Sequence, residues 1–266
     1  MKYTVLTLFP GICDAYFSSS IMAKALNRGI IEYRAVNIRD FAIDKHHTCD
    51  DATYGGGPGM LMLAEPLGRA IDFAKSMPLR FPQSKDPQGE EKKLSPRVIY
   101  LSPSGRPFDQ NLAKELAGEE ELIIICGRYE GIDQRIIDLY VDDEISVGDY
   151  VLSSGEVAAL ILIDSTYRLV EQVITPASLE EESFDRFLLE YPQYTRPEIY
   201  ATIKVPEVLL SGHHENIRRW RLEKRVERTL TTRPDLIRRG EESSLFDDEI
   251  RKIIEEKRRG NGEGEK

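Results

Sequence analysis

Over the first two-thirds of the chain, short apolar runs alternate with stretches whose apolar positions recur every three or four residues. YTVLTLF (3–9), IIEYRAVNI (30–38), RVIYLSP (97–103) and ELIIICG (121–127) read as strands. Helices are expected at 14–28, ended by Gly29, and at 65–76, with Pro66 in the first turn, where its missing N–H costs nothing. Three more fit 109–117, opened by Asp109 and ended by Gly118, then 132–140 and 156–163. Strands alternating with helices predict an α/β fold, a parallel sheet covered on both faces. The nearly unbroken run LIIIC suits a central, fully buried strand.

The alternation stops near residue 172. Residues 172–197 hold three prolines and an acidic cluster, and read as an interdomain linker after an α/β domain at 1–171. Beyond it only helical patterns follow, at 214–231, 234–239 and 246–258, so 198–258 reads as a small all-helical domain. The polar tail 259–266 is expected to be disordered. Residues 78–96, polar and with four prolines, read as a surface insertion within the first domain.

Composition narrows the setting. With 41% apolar residues, the 266-residue chain can bury a substantial core. Cys13, Cys49 and Cys126 are few and far apart, which suits reduced thiols and a cytoplasmic location. The start MKYTVLTLFPG reads as a first strand, since its apolar run is short and broken by Pro10. The longest apolar run, VAALILI at 157–163, is far too short to span a membrane. His46, His47, His213 and His214 have no Cys or carboxylate at ligand spacing, so no metal site is expected from pattern.

Charge changes the picture once it is resolved along the chain. The net charge of -10 argues against a nucleic-acid partner. Residues 216–239, however, hold nine Lys/Arg against three Asp/Glu, a local excess of six that leaves the remainder at -16. Arg218, Arg221, Arg225 and Arg228 recur every three or four residues and so share one helix face. Such a face is either a solvated surface or a docking site for phosphates.

Candidate chemistry concentrates in loops. DDATYGGGPGML (50–61) can be neither helix nor central strand, and suits close backbone approach to a ligand or another chain. It lacks GK[ST], and no GxGxxG follows a strand, so two nucleotide-binding patterns lose support. YLSPSGRP (100–107) and CGRYEGIDQR (126–135) follow strands, and ISVGDYVLSSGE (145–156) is a third loop rich in Gly and Ser. Ligands of open α/β sheets sit at carboxyl ends of strands, so three such loops predict one shared pocket.

These residues now carry a resemblance. YGGGPGM (54–60), YLSPSG (100–105), CGRYEGID (126–133), SVGDYVLSSGE (146–156), YTRPE (194–198) and VLLSGHHENIRRWR (208–221) resemble the bacterial tRNA (guanine-N1)-methyltransferase family, across about residues 1–240. The resemblance implies an α/β domain of SPOUT type whose sheet-end loops form a trefoil knot, followed by the helical domain. Topology rules alone would never predict a knot. It also implies S-adenosylmethionine as methyl donor, tRNA as substrate at guanosine 37, and a homodimer with each active site at the subunit interface, and it suggests magnesium as an aid to proton removal. By motif match, Tyr100, Leu101, Gly127, Glu130, Val147, Gly148, Asp149, Tyr150, Val151 and Leu152 are expected around the donor. Gly59, Ser183, Glu190, Arg218, Arg219, Arg221 and Arg225 are expected on the tRNA side.

The substrate dictates a mechanism. Guanine N1 carries a proton at neutral pH, so its methylation needs a base, and charge then develops on O6, where a cation stabilises it. The resemblance assigns these roles to Glu182 and Arg168. Glu182 stands in Glu182-Ser183-Phe184 where the family usually has Asp, Glu190 also replaces an Asp, and Ser154 replaces a Gly. Glu180, Glu181 and Asp185 remain rival bases on the residues alone. Two other readings stay open at this point. One is a non-catalytic tRNA-binding protein on the same fold, and the other a nucleotide-binding α/β enzyme.

Overall fold

The computed structural model describes residues 1–77, 95–175 and 182–262. Most of the 78–96 insertion, Glu180, Glu181 and the last four residues of the tail lie outside them. Contacts divide the chain into two compact units, Met1–Ile174 and Thr175–Lys266.

The first unit is a five-stranded parallel sheet. Its strands are β1 (Lys2–Thr7), β2 (Glu32–Asn37), β5 (Arg97–Pro107), β6 (Glu121–Ile125) and β7 (Asp143–Ser146), in the order β2-β1-β6-β5-β7. Side chains alternate across this sheet with the two-residue period of a strand. Val5, Leu122 and Ile124 enter one core, with residues of α1 (Pro10–Phe17), α2 (Ser20–Asn27), α4 (Gln110–Ala117) and α6 (Gly155–Tyr167). Leu6, Ile123 and Ile125 enter the other, with α3 (Ala64–Ser76) and α5 (Gln134–Tyr140). Because both faces are covered, central β6 is apolar almost throughout and wholly buried. Its exception, Glu121, pairs with Lys2 at 3.1 Å and accepts from Thr4 Oγ1, so the buried charge is compensated.

The expected helices and strands of this unit are present, with three differences. The helix expected over 14–28 begins at Pro10 and breaks into two. Ser18 and Ser19 turn their hydroxyls back onto the carbonyls of Ala15 and Tyr16, and Ser20 adopts φ +55°. β7 was hidden within what reads as a loop, because four residues carry too short a pattern. The glycine-rich loop joins two short antiparallel strands, β3 (Asp50–Ala52) and β4 (Met60–Met62).

The second unit holds a two-residue hairpin, β8 (Ile199–Tyr200) with β9 (Ile203–Lys204), in a region that reads as helical only. Four helices follow: α7 (Glu207–Leu210), α8 (His214–Thr232), α9 (Pro234–Glu242) and α10 (Asp248–Gly262). α10 runs four residues past the end that the pattern suggests. Its Ile250, Ile253 and Ile254 pack with Val226, Ile237 and Phe246 in one core. Leu188, from the expected linker, is fully buried in that same core. Residues 182–190 are therefore part of the packed second unit, because an apolar side chain anchors them there.

Candidate active site

The carboxyl ends of β5, β6 and β7 converge on one cavity of about 210 Å³ in the first unit. Tyr100 and Leu101 come from β5, Gly127 and Glu130 from the loop after β6, and Val147, Gly148, Tyr150, Val151 and Leu152 from the loop after β7. All of these were expected from sequence to share a pocket. Asp149 is the exception: it is exposed and does not line the cavity.

Backbone contact holds the loops together. The Gly155 N–H donates to Gly127 O at 2.9 Å. A Cβ on Gly155 would stand 2.6 Å from Gly127 N and 2.7 Å from Cys126 Cα, so only glycine fits. Glu156 follows in the first turn of α6, fully buried. It accepts from Thr7 Oγ1 at 2.5 Å and pairs with Arg128 at 2.9 Å. The Arg128 guanidinium also lies 4.4 Å from the centre of the Phe9 ring. The loop after β6 is thus pinned to the start of α6 and to the segment after β1. Arg128 lines the cavity too. Its place in CGRYEGID, beside a chemistry-bearing Glu, was the available signal.

A second backbone contact fixes Glu130. Its N–H donates to Met60 O at 3.0 Å, and a Cβ on Gly59 would meet Glu130 Cγ at 2.4 Å. Gly59 therefore backs the Glu130 side chain. Ser154 also lines the cavity, at φ -156°, an extended conformation open to any residue, so it is tolerated without backbone strain.

Burial decides the protonation of the surrounding groups. It pushes the Tyr100 phenol above its ordinary range, so the hydroxyl stays a donor. It raises the Cys126 thiol well above its usual value, with Glu156 adding to the shift, and the Cys13 thiol to about 12. Both thiols therefore stay protonated at neutral pH and make poor nucleophiles. Among the described residues no three His, Cys, Asp or Glu side chains come together to hold a metal ion. The described residues of this chain do not make a magnesium cage.

Arg168 is not part of this cavity. It caps the C-terminal end of α6, whose first residue, Gly155, lines the cavity. Thirteen helical residues separate the helix ends by about 20 Å.

The second unit organises Glu182, Ser183 and Glu190 into one closed loop. The Glu190 N–H donates to Ser183 Oγ at 3.2 Å, Asp185 N–H to Glu182 O at 3.0 Å and Phe184 N–H to Leu188 O at 2.8 Å. Phe184, Arg186 and Phe187 all have positive φ. Of the basic residues expected to meet phosphates, Arg218 and Arg219 are exposed on α8, paired with Glu215, Glu249 and Glu223. Arg221 lies 4.8 Å from the Tyr191 ring centre. Arg225 corrects the sequence reading. It is 5% exposed and points its guanidinium at Leu189 O and Asp185 O, at 3.3 Å each, so it faces the loop and not solvent. Of its period-matched neighbours, Arg218 and Arg228 are exposed and Arg221 is half-buried, and periodicity cannot tell which arginine the loop covers.

Comparison with known proteins adds independent findings. A family model described as tRNA (Guanine-1)-methyltransferase TrmD matches residues 1–239. The tRNA (guanine-N(1)-)-methyltransferase of Treponema denticola is 59% identical over 256 residues, covering 96% of this chain and 98% of the relative. The proteins of the same name from Treponema pallidum and Borreliella burgdorferi are 54% and 57% identical, over 96% and 89% of this chain and 96% and 92% of their own.

The close approach at Gly155 is testable. Gly155→Ala forces rigid backbone apart, and is expected to cost about 1–3 kcal/mol of stability. Urea unfolding measures it, and an unchanged midpoint would contradict the contact.

Proposed function

Since the chain belongs to the tRNA (guanine-1)-methyltransferase family, and so methylates guanine N1 in tRNA, we propose how its residues divide that reaction. The observation that carries the proposal is the cavity built from three strand-end loops by backbone and apolar groups. S-adenosylmethionine, when bound, supplies a methyl group on a positively charged sulfur that leaves as a neutral thioether. The cavity suits it chemically. Backbone N–H and C=O groups can read an adenine edge, Leu101, Val151 and Leu152 cover apolar surface, and the Tyr100 hydroxyl remains a donor.

Glu182 takes the proton from guanine N1 as the new N1–methyl bond forms, and Arg168 compensates the charge that develops on O6. Ser183 and Glu190 position the base from the same loop. Arg218, Arg219 and Arg221 contact phosphates, the first two exchanging surface ion pairs of little worth for stronger contacts with tRNA. The six ordered motifs support guanosine 37 as the target, a SPOUT-type domain and its knot, followed by a helical tRNA-binding domain. For the knot, the packing of the three loops through Gly155 is the supporting feature. The same reading places the protein in the cytoplasm, where three buried, free thiols persist.

The reading includes a homodimer with shared sites. About 20 Å of α6 lie between Gly155 at the cavity and Arg168, which supports a role for Arg168 at the cavity of a second copy. α6 is apolar nearly all round, yet leaves Val157 and Ile161 exposed one turn apart, with Ile12 exposed on neighbouring α1. A second copy of the chain is the occupant that explains both.

Two experiments test these roles. Labelled methyl transfer to an unmodified tRNA transcript is expected to fall by a factor of about 100 or more in Glu182→Gln, with a G37→A transcript inactive throughout. Transfer at the wild-type rate in the variant would remove Glu182 from the role of base. For the dimer, Arg168→Ala is mixed, after co-expression, with Val151→Trp, which plugs the cavity from a position 88% exposed. Each variant alone is expected to be inactive and the mixed dimer active, because one intact site forms. No recovery would place Arg168 and the cavity of one chain in the same site.

A further inference from the structure

The loop that carries Glu182 is held by one helix in a manner that its sequence does not announce. Two side chains on α8, one turn apart, reach into it. Thr229 Oγ1 accepts from Leu189 N–H at 2.9 Å, while its own proton goes to Arg225 O at 2.6 Å. Arg225 donates from Nε to Leu189 O and from Nη2 to Asp185 O, both at 3.3 Å, with the Asp185 carboxylate 4.0 Å away. Both groups of Leu189 are thus engaged by the helix. Arg228 adds a longer contact to Glu190 O at 3.5 Å. Both Thr229 and Arg225 are buried, and the residue they hold, Leu189, directly follows Leu188, the apolar anchor of the loop.

The conformation they hold is not one that the loop would choose by itself. Phe184, Arg186 and Phe187 have φ of +75°, +47° and +58°, values that bulky side chains adopt only when their surroundings impose them. A helix face that binds the loop through both groups of one residue is such a surrounding. A loop free to relax would scatter the carboxylate of Glu182 over several positions.

We propose that Arg225 and Thr229 are positioning residues for methyl transfer. They act through the 182–190 loop by holding the proton-accepting carboxylate in one place, and they do not themselves touch tRNA or donor. The proposal rests on the reading of Glu182 as the base. It replaces the phosphate-contact role that spacing suggests for Arg225, and gives Thr229 a role that nothing in its sequence context marks. Because the clamp fixes geometry and leaves binding surfaces alone, its loss slows the chemical step and spares affinity. A misplacement of about 1 Å at a reacting group can cost a factor of about 100.

The test uses the full chain under single-turnover conditions, with enzyme in excess over an unmodified tRNA transcript and saturating S-adenosylmethionine. Thr229→Val keeps the shape of the side chain and removes both hydrogen bonds. It is expected to slow transfer by about tenfold or more, while dissociation constants for tRNA and S-adenosylmethionine stay within about threefold of wild type. Thr229→Ser, which keeps the hydroxyl, is expected to restore the rate, and Arg225→Lys to lower it. Amide exchange at Leu189 should accelerate in Thr229→Val. Combined with Glu182→Gln, the valine variant should add no further loss, because the group that it positions is already gone. A wild-type rate in Thr229→Val, with Glu182→Gln slow, would overturn the clamp alone. So would losses that multiply in the double variant, or a loss that appears as weakened tRNA binding. A wild-type rate in Glu182→Gln would overturn the base assignment, and the proposal with it.

Discussion

The Gly155 N–H meets Gly127 O at 2.9 Å in a place where no Cβ can enter, and the cavity depends on that contact. It brings the first turn of α6 against the end of β6, and so fixes the loops on either side. Glu156, next in sequence, is then carried under the sheet end, where Thr7 and Arg128 compensate its charge. A buried carboxylate left without them would be costly, so the contact, the ion pair and the loop after β6 stand or fall together. The open space between the three loops is what remains when their backbones are packed this closely.

The two units use different means for different tasks. The first builds its site from backbone groups and apolar side chains at strand ends, which suits recognition of a nucleoside-like donor. The second clamps the backbone of a strained, acidic loop to a helix. Strain of this kind persists only where the surroundings over-determine it, and functional loops are where it collects. Basic residues on the same helix are divided between these demands: Arg225 is spent inward on the loop, while Arg218 and Arg219 stay at the surface. The local excess of positive charge therefore overstates the surface available to tRNA by at least one arginine.

Much of the first unit was legible in sequence because its signals are long. The run LIIIC reads as a central, buried strand, and Gly127 could be placed in a pocket because it follows that strand, whereas Val147 was reached only through the motif that carries the family resemblance. Short elements were not legible. β7 has four residues, and the hairpins at 50–62 and 199–204 have three or two residues per strand, too few to establish a period. Burial of a polar side chain was equally hidden. Nothing in the spacing separates Arg225 from Arg221, and only the loop packed over it decides. Linker composition also misled at 182–190, where a single apolar residue, Leu188, outweighs its acidic neighbours.

The central claim is that donor recognition resides in the backbone cavity and proton removal in the loop of Glu182. Calorimetric titration of S-adenosylmethionine into wild-type and Glu182→Gln protein tests it most directly, because it reads binding without chemistry. The account predicts dissociation constants that agree within about twofold. A Glu182→Gln protein that binds the donor about tenfold more weakly would contradict it, since the carboxylate would then belong to the donor site.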